Sequence, residues 1–138
     1  MQVTLGLDTP STNTMATRPP KRGLQFFQEK TMSTAPKSEI LHLLEMVSYQ
    51  DGSVVSRQIT KAEAGNVTLF AFDTEQGLSE HTAPFDALVH ILEGNALVTI
   101  SGKPFDLSAG DAVIMPANEP HALKAVTRFK MLLTMIRS

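Results

Sequence analysis

Two segments decide the fold of this chain: Gly77-Leu-Ser-Glu-His81-Thr-Ala-Pro-Phe-Asp-Ala87 and Gly110-Asp-Ala-Val-Ile-Met-Pro116-Ala-Asn-Glu-Pro-His121. Each carries one histidine, and each has Gly and Pro turn residues beside a run in which apolar and polar side chains alternate. Alternation with a period of two is typical of a half-buried β-strand. Short strands closed by Gly and Pro turns predict an all-β barrel or sandwich with a site inside it.

About eight short strands are predicted between Ser53 and Ile136. Gly94-Asn95 is expected to turn a hairpin between the third and fourth of them, and Gly94 and Gly110 are expected to adopt positive φ. The second strand has large side chains on both parities, so both of its faces should be covered, one by the core and one by a helix or a second subunit. The predicted ranges are 53–60, 65–73, 87–93, 96–101, 104–107, 112–115, 121–126 and 129–136.

The composition bounds the class of protein. The 138 residues suit one domain, and a hydrophobic content of 42% suits a globular core. The absence of cysteine excludes disulfides and thiolate metal sites and is compatible with a reducing cytoplasm, where we expect the protein. A net charge of -2, with no basic run longer than Lys21-Arg22, gives nucleic-acid binding little support. No apolar run approaches the roughly 20 residues of a membrane helix, so no membrane partner is predicted.

The N-terminal quarter of the chain differs from the rest. Residues 1–36 are polar, rich in Thr and interrupted by Pro, which predicts a mostly disordered extension because so little apolar area can be buried. Residues 37–138 then form the β-barrel domain. At its start, Ser38–Val47 has apolar residues at helical spacing with Ser38 as a possible cap, which predicts one short N-terminal helix.

The two histidine segments resemble the two motifs of the cupin superfamily, and the resemblance covers about residues 50 to 136. It implies a jelly-roll, or double-stranded β-helix, barrel like those of the small single-domain, RmlC-like cupins (the type-2 conserved barrel). It also implies a homodimer with a site in the mouth of the barrel. The positions that fit the first motif are Gly77, His81 and Gly94, and those that fit the second are Gly110, Pro116 and His121.

The same resemblance implies a degenerate metal motif. Metal-binding cupins take two histidines and a glutamate from the first motif and one histidine from the second. Here Ala83 and Ala87 stand at two of those positions, so only His81 and His121 remain to hold a divalent Fe, Mn, Ni or Zn ion. Two imidazoles alone would bind a metal weakly, because a catalytic site normally has three protein ligands. By strand parity His90 points outward, which leaves Gln58, Asp73, Glu75 and Met115 as candidates for a third ligand.

Three functions are weighed for this site. The first is a small-molecule-binding protein, whose apolar pocket holds an apolar or carboxylate-bearing metabolite between two histidines. The second is a metal-dependent enzyme of the dioxygenase or isomerase type with a further, unidentified ligand. The third is a non-catalytic structural or interaction protein with a packed barrel, in which each histidine only bonds a neighbouring carbonyl and holds a loop. Whether the protein is an enzyme stays open. The predicted pocket consists of His81, Ala83, Phe85, Ala87, Met115 and His121.

Overall fold

The computed structural model describes residues 34–137. The predicted disorder of residues 1–36 concerns mainly residues 1–33, which lie outside this range. The described residues contain one 3-10 turn, Leu43–Glu45, and nine β-strands. The strands are β1 (Val54–Ala62), β2 (Gly65–Phe72), β3 (Gly77–His81), β4 (Phe85–Glu93), β5 (Asn95–Ile100), β6 (Lys103–Ser108), β7 (Ala112–Met115), β8 (His121–Ala125) and β9 (Phe129–Arg137).

The strands form two antiparallel sheets. One has five strands in the order β1-β2-β9-β4-β7, and the other has four in the order β3-β8-β5-β6. Both sheets contribute to one hydrophobic core, and alternate residues of each strand are buried in it. The prediction of an all-β fold is therefore confirmed. The fully buried large side chains of the core are Phe72, Phe129, Ile91, Met131, Val89 and Val98.

Strand β2 is covered on both faces, as its sequence predicts. Leu69 and Phe72 point to opposite faces of β2, and the exposed fraction of each is 0%. Phe72 points into the core, where its ring stacks on that of Phe129 with the centroids 4.4 Å apart. Since Phe72 and Phe129 are opposite each other in the β2–β9 register, this stack joins two central strands of the larger sheet.

The predicted hairpin between β4 and β5 is wrong. The two strands belong to different sheets: β4 pairs with β7 and β9, whereas β5 pairs with β6 and β8. Gly94 has φ +84°, so the predicted positive φ is confirmed, but the bend takes the chain from one sheet to the other. Local sequence sets the bend, whereas the pairing partner depends on distant strands. A two-residue hairpin is found instead between β5 and β6, where Ser101 and Gly102 both have positive φ.

The predicted N-terminal helix is also wrong, because only Leu43–Glu45 is helical and forms a 3-10 turn. Ser38 has φ +62° and so does not adopt the conformation of an N-cap. Ile40 and Leu44 are 86% and 45% exposed, so no continuous apolar stripe is buried to stabilise two or three helical turns. No helix in residues 34–137 has the length and hydrophobicity needed to cross a membrane.

Tyr49 connects the segment before β1 to strands β4 and β9 of the larger sheet. Its hydroxyl donates a hydrogen bond of 2.6 Å to Oε2 of Glu93. Lys130 and Arg128 place their cationic groups 5.1 and 5.3 Å from the centre of the phenol ring. Partial burial and the bond to Glu93 raise the pKa of Tyr49 above its ordinary value of about 10. A neutral phenol therefore links the segment to β4 and β9.

Replacing Tyr49 with phenylalanine is expected to lower the free energy of unfolding by about 1–2 kcal/mol, because a partly buried hydrogen bond to a carboxylate is lost while the ring is kept. Urea unfolding followed by circular dichroism at neutral pH measures this. Ser101→Ala is the control, since it removes an exposed bond to Glu119 and should have a smaller effect. Equal losses in the two variants would contradict a stabilising role for the phenol.

Candidate functional site

The first five residues of the first histidine segment form β3, which is not among the eight predicted strands. β3 pairs with β8, and in this register Leu78 lies opposite Leu123 while His81 lies opposite His121. Between these two pairs β3 advances by three residues and β8 by only two, so β3 contains a β-bulge. Residues three apart in a regular strand point to opposite faces, so the bulge is what sets both Leu78 and His81 beside buried partners.

The structure brings His81 and His121 together as cross-strand neighbours. Their ring centroids are 4.5 Å apart and the ring planes meet at 73°, an edge-to-face arrangement. His121 is buried, with 4% of its surface exposed, whereas His81 is exposed. His121 shares the inner face of β8 with the core residues Leu123 and Ala125. The pair therefore runs from the surface to the edge of the core.

Each imidazole is oriented by a backbone carbonyl two residues earlier in the chain. Nδ1 of His81 lies 2.7 Å from the carbonyl oxygen of Ser79, and Nδ1 of His121 lies 3.1 Å from that of Glu119. A carbonyl only accepts hydrogen bonds, so both Nδ1 atoms carry the hydrogen and, in the neutral rings, both Nε2 atoms carry a lone pair. Among the contacts within residues 34–137, neither Nε2 has a partner. Each histidine thus stabilises the local backbone through Nδ1, and its Nε2 is available as a hydrogen-bond acceptor.

The other predicted pocket residues lie mainly on the opposite sheet. Ala87 and Met115 are opposite each other in the β4–β7 register, and each is 3% exposed on the core side. Phe85 shares their parity at the start of β4 and is half-buried. Ala83 lies in the connection before β4, where its carbonyl accepts a 2.7 Å bond from the backbone N–H of Asn118. This bond joins the β3–β4 connection, which follows His81, to the β7–β8 connection, which precedes His121.

Two surface hollows in the described part of the chain lie away from these residues. One, of about 320 Å³, is between the 3-10 turn and Leu92, and the other, of about 240 Å³, is between β5, β6 and Val126. Neither hollow is lined by a residue of the predicted pocket. The pocket therefore stays a prediction, and the evidence for a site is the geometry of the two rings.

The side chains present do not fit a three-ligand metal site. Residues 34–137 contain no group of three or more His, Asp or Glu side chains that could hold a metal ion. Asp73 accepts a 2.7 Å bond from Nε of Arg128, and its backbone donor Gly52, followed by this bond to Arg128, lowers the pKa of its carboxyl to about 2. Glu75 lies 3.6 Å from the ammonium of Lys124. Both candidate carboxylates thus have cationic partners of their own.

The remaining ligand candidates are placed by the strands. In β4 the alternation buries Ala87 and leaves His90 half-buried on the opposite face, as parity predicts. Met115 belongs to the hydrophobic core. Gln58 lies on β1, which is the edge of the larger sheet opposite to β7. Within the described residues, a metal ion at this site would therefore have two imidazole ligands, those of His81 and His121.

Burial lowers the pKa of His121, and the nearby His81 lowers it further, while the bond to the carbonyl of Glu119 acts in the opposite direction. In the unfolded chain the same group has a pKa of about 6.5. Between the two pKa values the unfolded state binds more protons, so the free energy of unfolding rises with pH there. This contribution is complete above the unfolded pKa and is lost as the pH falls below it.

We therefore expect the protein to lose stability as the pH falls below about 6.5, and His121→Asn to weaken that dependence. An asparagine amide reaches the position of Nδ1 and can still donate to the carbonyl of Glu119, but it does not take up a proton. Urea unfolding at several pH values measures the slope, and His90→Asn is the control on the opposite face of β4. An unchanged slope in His121→Asn would contradict this origin of the pH dependence.

Comparison with known families and structures gives a consistent result. The family model described as a cupin domain matches residues 68–136. A conserved protein of unknown function from Streptococcus pyogenes is 32% identical over 78% of this chain and 97% of its own, with a TM-score of 0.72. The chain belongs to the cupin family. The jelly-roll prediction is thereby confirmed, as is the resemblance to small single-domain cupins.

Two further cupins share this fold. A cupin superfamily protein from Desulfitobacterium hafniense is 27% identical, with 77% of this chain and 97% of that chain covered and a TM-score of 0.71. An RmlC-like cupin from Desulfovibrio desulfuricans is 26% identical over 71% of this chain and 95% of its own, with a TM-score of 0.64. Among the curated proteins no sequence matches this one. The comparisons therefore establish the family and not an activity.

Proposed function

We propose that this cupin binds a small molecule at the mouth of the barrel, between His81 and His121. The observation that carries the proposal is the paired imidazoles, each fastened through Nδ1 and each left with a free Nε2 within residues 34–137. His121 is almost completely buried, and buried polar groups in proteins nearly always have a hydrogen-bond partner. A bound molecule would supply the partner that the described residues do not.

The surroundings suit a ligand with a polar end and an apolar body. Ala87 and Met115 are small and flexible apolar core residues, each 3% exposed, on the sheet opposite the histidines. Most ligand pockets combine such walls with a few converging polar groups. Neutral imidazoles would orient the polar end by accepting hydrogen bonds, and they can also take up a proton. The arrangement therefore serves binding, and it would serve proton transfer if the ligand is a substrate.

A metal-dependent enzyme of the dioxygenase or isomerase type is the second candidate. It is favoured by the Nδ1–carbonyl bonds of His81 and His121, because metal-bound imidazoles are commonly oriented in this way through the ring nitrogen that is not coordinated. It is disfavoured by the donor set, which lacks a third ligand within the described residues. Fe, Mn, Ni or Zn would have to be held by two imidazoles.

We further propose that the cupin forms a homodimer through the outer face of the five-stranded sheet. Leu88 and Ile114 are opposite each other in β4 and β7 and are 38% and 60% exposed. Burying neighbouring apolar side chains of this kind against a second copy is favourable. Analytical ultracentrifugation should then show a dimer that Ile114→Lys dissociates. A monomer at high concentration would contradict this assembly.

The binding proposal is tested with the four histidines of the chain as reporters. A fragment library is screened against the full chain while the imidazole resonances are followed by NMR. Hits should shift the signals of His81 and His121 and leave His42 and His90 unchanged. Elemental analysis of the purified protein accompanies the screen.

Three outcomes would decide against the proposal. A divalent metal at unit occupancy on the two histidines would favour the enzyme candidate. Hits that all avoid the pair would move the site elsewhere. A complete lack of hits, with a dimer present, would favour a structural or interaction protein with a packed barrel.

A further inference from the structure

We propose that two copies of the chain join edge to edge through β7, so that their five-stranded sheets form one continuous antiparallel sheet. This inference rests on the homodimer proposed above and adds the strand and the register through which the copies pair. It follows from the direction of the backbone groups of β7, from a comparison of the four sheet edges and from the exposure of Ile114.

The backbone groups of Ala112 and Ile114 point away from the sheet. Just before β7, the N–H of Ile91 in β4 donates to the carbonyl of Asp111. Because hydrogen-bonded and non-hydrogen-bonded pairs alternate along an antiparallel ladder, the odd-numbered residues of β7 exchange bonds with β4, and the even-numbered Ala112 and Ile114 face the other side. β7 is the last strand of its sheet, and within residues 34–137 no backbone bond outside the strand ladders engages either residue. The sheet therefore ends with two donors and two acceptors in position to pair with a further strand.

Among the four edge strands of the described residues, β7 alone lacks a feature that discourages pairing. Proteins protect sheet edges with bulges, prolines and charged side chains. β1 and β3 each contain a bulge, and β6 contains Pro104. These three strands also carry charged side chains, namely Arg57, Lys61, Glu80, Lys103 and Asp106. The sequence of β7, Ala-Val-Ile-Met, has neither a charge nor a proline, and its register with β4 is regular.

The free edge of β7 is complementary to a second copy of itself. With a two-fold axis between the Val113 residues of the two copies, Ala112 lies opposite Ile114 of the partner subunit, and the two residues exchange both of their free hydrogen bonds. The same exchange is repeated on the other side of the axis. The pairing ends at Pro116, which has no N–H, and at Gly110, whose N–H is already bonded to β4. The contact is therefore closed and joins two copies.

The side chains beside this edge fit the same register. Ile114 is 60% exposed on the outer face, and pairing would place it next to the small Ala112 of the partner subunit and diagonal to the partner's Ile114. Apolar surface that is exposed in the single chain would thus be buried, which is favourable. Asp111 would lie opposite Met115 of the partner subunit, so the two Asp111 residues would be about 13 Å apart along the strands, farther than the screening length at physiological salt.

Amide hydrogen exchange of the full chain, followed by NMR, tests the pairing directly. At concentrations at which analytical ultracentrifugation shows a dimer, the amides of Ala112 and Ile114 should be protected, because both are hydrogen-bonded in the paired edge. The Ala112 amide should exchange at least about tenfold more slowly than in the Ile114→Lys variant, which is expected to be monomeric. The amides of Val113 and Met115 are the internal reference, since their bonds to β4 are the same in both states.

Ala112→Pro is the matched variant, since it removes an N–H that the ladder with β4 does not use and keeps an apolar side chain on the outer face. It should weaken the dimer at least about tenfold, whereas Ala112→Ser, which keeps the N–H, should not. A dimer that Ala112→Pro leaves intact, or in which the amides of Ala112 and Ile114 exchange as fast as exposed ones, would overturn the edge pairing but not the homodimer. A monomer at high concentration would overturn both. If circular dichroism shows that Ala112→Pro does not fold, the exchange rates of the natural chain decide alone.

Discussion

Replacing Gly94 with alanine is expected to destabilise the barrel by about 3 kcal/mol or more, out of the 5–15 kcal/mol typical of a domain. An added Cβ would lie 2.0 Å from the carbonyl oxygen of Arg128 and 2.7 Å from Cα of Phe129. Both are backbone atoms, so no side-chain rotation relieves the overlap. Phe129 is also fully buried in the core stack with Phe72, which transmits any displacement to the centre of the larger sheet.

Gly110 provides the matched control for this substitution. Its φ is +94°, close to the +84° of Gly94, but an added Cβ would meet no atom within 4 Å. Gly110→Ala should therefore lose only the cost of the left-handed backbone, about 1–2 kcal/mol. The chain has no tryptophan, so urea unfolding is best followed by far-ultraviolet circular dichroism. Equal losses for the two variants would mean that φ alone, and not the close approach to β9, makes Gly94 necessary.

Gly94 also shows how far local sequence predicts this fold. The glycine, its positive φ and the two flanking strands are all readable from the residues, because each depends on neighbours in the chain. Its role as a crossing between sheets is not readable, since that depends on β8 and β9, more than 25 residues away. The helix predicted at Ser38 failed for a similar reason: its apolar residues have the right spacing but no surface on which to pack.

The sequence predicts which two histidines form the candidate site, but it does not predict which groups their ring nitrogens can bind. The motif spacing singles out His81 and His121, and the β3–β8 register does place them side by side. The bulge between Leu78 and His81 has no clear sequence signal, yet it decides which way His81 faces. The bonds from Nδ1 to the carbonyls of Ser79 and Glu119 are likewise set by backbone geometry, and they decide what the rings can bind.

A third imidazole is expected to turn this pair into a metal site. Ala83 stands where the resemblance to metal-binding cupins places their second histidine, and it is half-buried two residues after His81. Ala83→His should raise the affinity for Zn²⁺ by about 100-fold or more, because three nitrogen ligands complete a typical catalytic zinc set whereas two do not. By linkage, Zn²⁺ at 100 times its dissociation constant would then stabilise the folded variant by about 2.7 kcal/mol.

Two further variants serve as controls for this prediction. Ser56→His adds a histidine to an exposed position of β1, at the edge of the larger sheet opposite to β7, and should leave Zn²⁺ affinity near that of the natural chain. Adding His121→Asn to Ala83→His removes one ligand and should abolish the gain, which calorimetric titration would measure directly. If Ala83→His binds Zn²⁺ no better than Ser56→His, the connection before β4 does not direct that side chain towards the rings. The barrel mouth would then differ from a metal-binding cupin in its backbone as well as in its ligands.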